Sequence, residues 1–349
     1  MVFGLMFATA FLSAWVSNTA TAAMMVPIAV AVMGVVRSTQ ESEVIGKDEH
    51  NFGVCILLAI AYGASIGGMA TLIGSPPNGI FARFVEQTYH TPVTFLAWMK
   101  VALPVVVIML PVTYLLLTKV LFRTNLSGIP GGREWVKREL AKLGPMSKGE
   151  KVVLAVFLLA ACLWIFGPVL RGLEIDGAKP LKFLSDEAIA MGAGLLLFMI
   201  PIDVRRGVHA LDWSSAKDVV AWDVLLLFGG GLTMAAVIQS TGAAALVGAQ
   251  AQLLAGTSEV VMMSGVAALV TFATEVTSNT ALAATMMPLI AAAAESLKIH
   301  PEGLLFVTAI AASCAFMMPV ATPPNAIVFG TGRLKIGEMV RAGFFINMI

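Results

Sequence analysis

Two short polar runs sit inside otherwise apolar sequence: SNTATAAMMVPI, opening at Ser17, and SNTALAATMMPLI, opening at Ser278. Eight of the first twelve positions are identical. Ser, Asn and Thr supply hydroxyls and amides, which are neutral donors and acceptors. A site built from them can hold an anion and a cation together without a fixed charge. A lone Arg in the same place would be costly to bury in a membrane and would bind an anion too tightly to release it. Each triplet also has a companion hydroxyl four residues upstream, Ser13 and Thr274. Residues i and i+4 share one face of a helix, so two oxygens per copy can point at one ion. Hydroxyls in membrane helices often serve only back-bonding or packing. That accounts for one such triplet but not for a duplicated one.

A second pair of motifs follows the first. GSPPN (Gly74–Asn78) comes after the first triplet and ATPPN (Ala321–Asn325) after the second. A Pro-Pro pair removes two backbone donors and forces the preceding residue out of helical geometry, so each marks a broken helix. From Asn18 to Asn78 is 60 residues and from Asn279 to Asn325 is 46. Most of the difference is the hydrophilic linker RSTQESEVIGKDEH (Arg37–His50). The repeated unit is therefore a whole supersecondary structure.

The elements that must position these residues lie in a membrane. Of 349 residues, 58% are hydrophobic and 12% charged, and the mean hydropathy is +0.88. A soluble domain carries about 25% charged residues. Apolar segments run over roughly 2–36, 51–82, 93–122, 150–170, 186–202, 219–241, 257–297, 303–330 and 336–349. They are too long and continuous for barrel strands, and in lipid the alternative is helix. Segments 2–36 and 257–297 carry a triplet near their middle. A straight span would bury those polar groups without return, whereas a re-entrant hairpin with the triplet at its tip would not.

Loop charge orients the chain. The linker 123–151 carries Arg123, Arg133, Lys137, Arg138, Lys142, Lys148 and Lys151, which places it in the cytoplasm. Counting spans from there opens the first hairpin from the cytoplasm and the second from outside, the mark of an inverted-topology repeat. The outer loop 171–185 runs against the rule with Arg171, Lys179 and Lys182. The expected fold is an all-α polytopic membrane protein with two re-entrant helical hairpins and two broken transmembrane helices. Residues 1–122 form the first repeat and 123–149 a cytoplasmic linker. Residues 150–256 form scaffold spans, and 257–349 the second hairpin, second broken helix and the start of a last span. GREWVKRELAKL (Gly132–Leu143) reads as an amphipathic helix in the cytoplasmic interface.

Several chemistries are excluded or demoted. A net charge of +1 gives no basic surface for nucleic acid. His50, His90, His209 and His300 all fall near loops, without metal-ligand spacing. Cys55, Cys162 and Cys314 lie in apolar runs and read as buried free thiols. An intramembrane hydrolase would need a Ser/Lys or Asp/Asp pair, or a His-based metal site. The glycines at 229–231 lack the Lys-Ser/Thr of a phosphate loop and read as close helix packing. Glu275, three residues before the second triplet, is an intramembrane acid. It is either protonated or paired with hairpin backbone, and a proton-coupling role is the less favoured alternative. Asp223 reads as interfacial.

The paired SNT motifs, SIGGMATLIGSPPN (Ser65–Asn78), SCAFMMPVATPPNAIVFG (Ser313–Gly330) and GRLKIGEMVRAGF (Gly332–Phe344) resemble the divalent anion:sodium symporter family, whose members carry dicarboxylates, citrate or sulfate. These motifs span nearly the whole chain. The resemblance implies a multi-pass protein of a bacterial inner or plasma membrane, working as a homodimer by an elevator motion, with Na+ as coupling ion. It also implies one sodium site at Ser13, Ser17, Asn18 and the backbone of Gly74, and another at Thr274, Asn279 and the backbone of Ala321. Substrate carboxylates would meet Ser17, Asn18, Thr19 and Ser75 on one side. On the other they would meet Ser278, Asn279, Thr280, Thr322 and Pro323. Few residues precede the first triplet, while the family carries further N-terminal helices, so an N-terminally truncated chain is expected. Na+-coupled symport of a divalent anion is the leading function, with Na+-independent anion exchange on the same fold as the alternative. Neutral hydroxyls and amides do not separate dicarboxylate from citrate or sulfate.

Overall fold

The computed structural model describes residues 1–38, 46–123, 137, 141–142, 144–174, 178–220 and 222–349. Most of the interfacial helix expected over Gly132–Leu143 lies outside the described residues, as do residues 39–45 of the first linker. Two compact units are present. One comprises Met1–Val93, Met99–Pro130 and Asp223–Ile349, and the other Thr94–Trp98 and Gly131–Trp222.

The first unit opens with α1 (Val2–Ser13) and α2 (Asn18–Ser38). At 1.5 Å per residue, α1 spans about 18 Å, short of the ~30 Å hydrocarbon core. Then come α3 (Gly46–Gly68) and α4 (Pro76–Tyr89), separated where the Pro-Pro pair begins α4. Helix α5 (Phe95–Leu115) continues into a π turn at Leu116–Leu121. The centre of the unit is α3, in which residues Val54 to Ala61 have no solvent exposure. Gly63 and Gly67 stand four apart on it and let α1 approach. A Cβ on Gly67 would lie 2.2 Å from the Ala10 carbonyl oxygen, and one on Gly63 2.9 Å from that of Met6. Small residues at this spacing are how helices come together in lipid, where no hydrophobic drive separates helix from tail.

The second unit holds α6 (Lys148–Gly172) and α7 (Asp186–Met199), which pack together. Ser147 and Glu150 form a capping box at the start of α6, and Ser185 caps α7. Phe95 stacks on Trp164 with centroids 5.2 Å apart. Asp186 accepts from Phe95 N at 2.7 Å and from Arg171 Nη1 at 3.3 Å. Arg171 thus faces a carboxylate. A two-stranded antiparallel ribbon, β1 (Pro201–Asp203) and β2 (Val208–His209), follows. It departs from the all-helical expectation. Gly207 turns the chain at φ +63, and Asp203 accepts from the backbone of Arg205 and Arg206. Helix α8 (Trp213–Val219), N-capped by Asp212, also went unanticipated, because its run is short and polar.

The rest belongs to the first unit: α9 (Trp222–Ser240), α10 (Ala243–Ala251), α11 (Glu259–Thr274), α12 (Asn279–Leu297), α13 (Pro301–Ala312), α14 (Pro323–Phe329) and α15 (Ile336–Asn347). Gly231 of α9 packs directly against Ala284, where a Cβ would meet the alanine side chain at 2.6 Å. Among the described residues, four helices are long and apolar enough to cross a membrane: Asp48–Gly68, Phe95–Leu121, Lys148–Gly172 and Asn279–Leu297.

Packing in the first unit occurs in matched pairs. Helices α1 and α2 pack on α3 as α11 and α12 pack on α13. The half-helices after the breaks cross over: α4 packs on α12 and α14 on α2. Each hairpin therefore meets the second half of the other copy's broken helix.

Candidate functional site

The first cluster forms where α1 ends. Ser13 is fully buried, and its Oγ donates to Asn18 Oδ1 at 2.6 Å. The same corner of the Asn18 amide lies 3.1 Å from the Ala64 carbonyl oxygen and 3.2 Å from that of Gly74. Amide orientation is set by the bonding network rather than by atom identity. A nitrogen at that corner donates to both carbonyls and to Ser13. An oxygen there completes a ring of hydroxyl, amide and carbonyl oxygens, a donor set that suits Na+. Two glycines make room. A Cβ on Gly68 would lie 2.3 Å from Asn18 Oδ1, and one on Gly74 would lie 2.5 Å from the Gly68 carbonyl oxygen.

The second cluster forms at the corresponding end of α11. Thr274, fully buried, donates from Oγ1 to Asn279 Oδ1 at 2.7 Å and approaches the Ala312 carbonyl oxygen at 2.9 Å. Ala321, the matching position after the second break, is buried, and its N–H donates to the Met318 carbonyl at 3.2 Å.

Both breaks carry hydroxyls at helix starts. Ser75 (φ −142, ψ 138) and Thr322 (φ −139, ψ 150) are extended N-cap residues, each followed by the Pro pair in the first turn. Thr322 Oγ1 accepts from Asn325 N at 3.3 Å. Ser75 instead reaches across, its Oγ 3.3 Å from Ser313 Oγ of the other copy. In the triplets, Ser17 Oγ accepts from Ala20 N at 3.3 Å and Ser278 Oγ from Ala281 N at 3.5 Å. Helix N-termini with free N–H groups favour negative charge.

Exposure divides these residues. Ser17, Thr19, Ser278 and Pro323 are exposed, while Asn18 and Asn279 are half-buried. Ser13, Thr274, Ser75, Thr322 and Thr280 are buried. The triplets are thus unequal, with Thr280 covered where Thr19 is open. Ala64, Gly68 and Ser313 belong to the clusters, as does Thr71, whose Oγ1 accepts from Gly74 N at 3.2 Å, but they were not singled out from sequence. Ala64 acts through its backbone, which carries no residue-type signal. Gly68 had one, since a glycine pair just before a break commonly marks close backbone approach.

The Glu275 carboxylate is paired with backbone, but with that of the second helix break and not, as expected, with that of its own hairpin. Oε1 accepts from Phe316 N at 2.7 Å, and Oε2 accepts from Met318 N at 2.9 Å. Among the described residues, no group of three or more His, Cys, Asp or Glu side chains is placed to hold a metal ion.

Known proteins match this chain along its whole length. The family model described as "Sodium:sulfate symporter transmembrane region" matches residues 1–349. Among curated proteins, the chain is 38% identical over 350 residues to the sodium-dependent dicarboxylate transporter SdcS of Staphylococcus saprophyticus. It is 39% identical over 351 residues to the protein of the same name from Staphylococcus aureus strain USA300. Each alignment covers 100% of this chain and 66% of the relative, so the chain spans just under two thirds of those proteins' length. A family match from end to end, over a fold of long apolar helices, makes this a multi-pass membrane protein of a transporter family and not of an enzyme family. The chain belongs to the sodium:sulfate symporter family.

Proposed function

We propose that the protein couples Na+ movement to symport of a divalent anion, a C4-dicarboxylate such as succinate or malate, citrate, or sulfate. The observation that carries this reading is the duplicated cluster of hydroxyl, asparagine and helix break, in which Ser13–Asn18 is matched by Thr274–Asn279. The oxygens at Ser13, Ser17, Asn18 and Gly74 form one Na+ site. Those at Thr274, Asn279 and Ala321 form the other. The hydroxyls and helix starts at Ser17–Thr19, Ser75, Ser278–Thr280, Thr322 and Pro323 take the anion. Bound Na+ supplies positive charge beside neutral donors, so the anion binds well only when the cations are present and both leave together.

Residues 1–122 and 150–349 form two repeats of inverted topology, with re-entrant hairpins at 2–36 and 257–297. Transport is by alternating access of the elevator type, with the clusters moving as one body in a homodimer. The names of the relatives, sodium-dependent dicarboxylate transporters, favour a dicarboxylate.

The test is uptake of labelled succinate and of sulfate into proteoliposomes, with a Na+ or a choline gradient. It is run on this chain and on the chain joined to the N-terminal region of a relative. Na+-driven succinate uptake by either form is the expected result. Uptake indifferent to Na+ but dependent on internal dicarboxylate would replace symport by exchange. No uptake of either anion by either form would remove the substrate class.

A further inference from the structure

Glu275 is 4% exposed at the C-terminal end of α11. A carboxylate there meets the negative end of the helix dipole, and within a membrane segment it is expensive. What meets it explains its presence. Phe316 N donates to Oε1 at 2.7 Å, Met317 N to Oε1 at 2.9 Å and Oε2 at 3.0 Å, and Met318 N to Oε2 at 2.9 Å. Asn347 Nδ2 of α15 adds a fourth donor at 2.7 Å to Oε1. Three consecutive N–H groups of the break between α13 and α14 thus converge on one side chain. Such charge-assisted bonds are the strong class.

The peptide plane gives this convergence a consequence. An N–H and the preceding C=O share one plane and point opposite ways. Fixing the Phe316 N–H on Glu275 sends the Ala315 carbonyl to the other side, where Asn325 Nδ2 donates to it at 3.1 Å. Glu275 and Asn325 hold one peptide from opposite faces. Helix α15 presses on the same place, for a Cβ on Gly343 would lie 2.3 Å from the Phe316 carbonyl carbon.

The first copy joins its hairpin to its break with the roles reversed. Ala14 stands three residues before Ser17, as Glu275 stands three before Ser278. Thr71 stands seven before Asn78, as Met318 stands seven before Asn325. There the Thr71 hydroxyl of the break donates to the Ala14 carbonyl of the hairpin. In the second copy a hairpin side chain instead accepts from break backbone. The Thr71 hydroxyl bond and the Asn18 amide beside the Gly74 carbonyl hold the first junction, and a carboxylate gathering four donors holds the second.

We propose that Glu275 is the positioning residue of the second Na+ half-site. It ties the hairpin tip to the helix break, so that its neighbour Thr274 and Asn279 stay in register with Ala321. The two half-sites then differ in stiffness, and the second is the preorganised one. This rests on the Na+-coupled reading above.

The experiment is Na+-dependent thermal stabilisation of the purified chain, with choline as the ionic-strength control, for wild type, Glu275→Gln and Asn347→Ala. Binding to the folded state raises the unfolding temperature as the ratio of ligand to Kd grows. Glutamine keeps the size but turns an NH2 group toward backbone donors. Glu275→Gln is expected to raise the Na+ midpoint about tenfold and to speed hydrogen exchange at Phe316, Met317 and Met318. Asn347→Ala, which leaves the three backbone donors in place, is expected to shift the midpoint the same way by about threefold. A fall in unfolding temperature equal in Na+ and choline, with the Na+ midpoint unmoved, would overturn the proposal by showing only a structural role. If Glu275→Gln does not fold, Asn347→Ala decides, and a wild-type midpoint in it overturns the proposal. A wild-type chain with no response to Na+ overturns the Na+ reading itself, and this inference with it, and is told apart because it appears before any substitution.

Discussion

Asn78 and Asn325 make the same two bonds in the two copies of the repeat. Asn78 Nδ2 donates to the Gly68 and Thr71 carbonyls, 10 and 7 residues upstream, at 2.9 and 2.7 Å. Asn325 Nδ2 donates to the Ala315 and Met318 carbonyls, also 10 and 7 upstream, at 3.1 and 3.0 Å. Each amide closes the unwound segment between half-helices on itself and satisfies carbonyls that no helix bond reaches. Both asparagines are fully buried.

Removing either clamp takes the side-chain donor from the Gly68 or Ala315 carbonyl and leaves the Thr71 or Met318 carbonyl with only its turn bond from Gly74 or Ala321. Asn78→Ala and Asn325→Ala are each expected to cost about 1–3 kcal/mol, read as a lowered midpoint of thermal unfolding in detergent. Asn→Asp at either position should cost more, because it sets a carboxylate oxygen against two carbonyl oxygens. An aspartate variant as stable as wild type would show that the amide nitrogen is not the group that matters.

The buried hydroxyls Ser13 and Thr274 are expected to control Na+ dependence more than anion affinity. Ser13→Ala removes one bond, to Asn18. Thr274→Val keeps the shape but loses contact with both Asn279 and the Ala312 carbonyl. At about 1 kcal/mol per bond, the Na+ half-saturation of uptake should rise roughly fivefold in the first and further in the second. The KM for the anion at saturating Na+ should stay near wild type. An anion KM that moves while Na+ half-saturation does not would reassign these residues to the anion.

Much of this was legible because the features are carried by residue type. A Pro pair cannot continue a helix, and the helices restart at Pro76 and Pro323. The triplets close helical arms, so α1 ends at Ser13 and α11 at Thr274. What escaped was carried by backbone. The carbonyls of Ala64 and Gly74 beside Asn18 have no signature in the side chain. The crossing of α4 onto α12 and of α14 onto α2 is a long-range pairing that no local period encodes. The ribbon of Pro201–Asp203 with Val208–His209 was hidden for another reason. It is five residues of strand in a charged loop, too short for an alternation to show.

In the second compact unit, Asp186 joins three neighbours. Its carboxylate accepts from Phe95 N and Arg171 Nη1, and its carbonyl accepts from Trp164 Nε1 at 3.0 Å. Arg171 and Asp186 are about one-fifth exposed, at 21% and 20%. Asp186→Ala is expected to cost about 1–3 kcal/mol and to leave Arg171, among the described residues, with the Leu184 carbonyl at 2.9 Å. Asp186→Asn should recover part of the loss, since an amide oxygen still accepts from Phe95 N. Unfolding midpoints for the three proteins, measured at low and high salt, check this. Equal losses in both variants would assign the whole effect to the charge on Arg171.

The approach of α1 to α3 predicts opposite outcomes for two Gly→Ala changes. A methyl added to Gly4 in α1 would have nothing within 4 Å, whereas one on Gly67, which faces α1, would stand 2.2 Å from the Ala10 carbonyl oxygen. In Gly4→Ala the methyl meets no neighbour and the helix loses a poor helix former, so stability should be unchanged or rise by up to ~1 kcal/mol. In Gly67→Ala the obstacle is backbone, which cannot swing aside as a side chain can. Helix α1 must then withdraw from α3, at a cost of several kcal/mol. Withdrawal moves Ser13 away from the end of α3, where Ala64 and Gly68 line the first cluster. Gly67→Ala should therefore weaken the Na+ response as well as lower the unfolding midpoint, while Gly4→Ala should do neither. A Gly67→Ala protein with wild-type stability and Na+ response would mean that α1 does not sit against α3 as closely as these distances require.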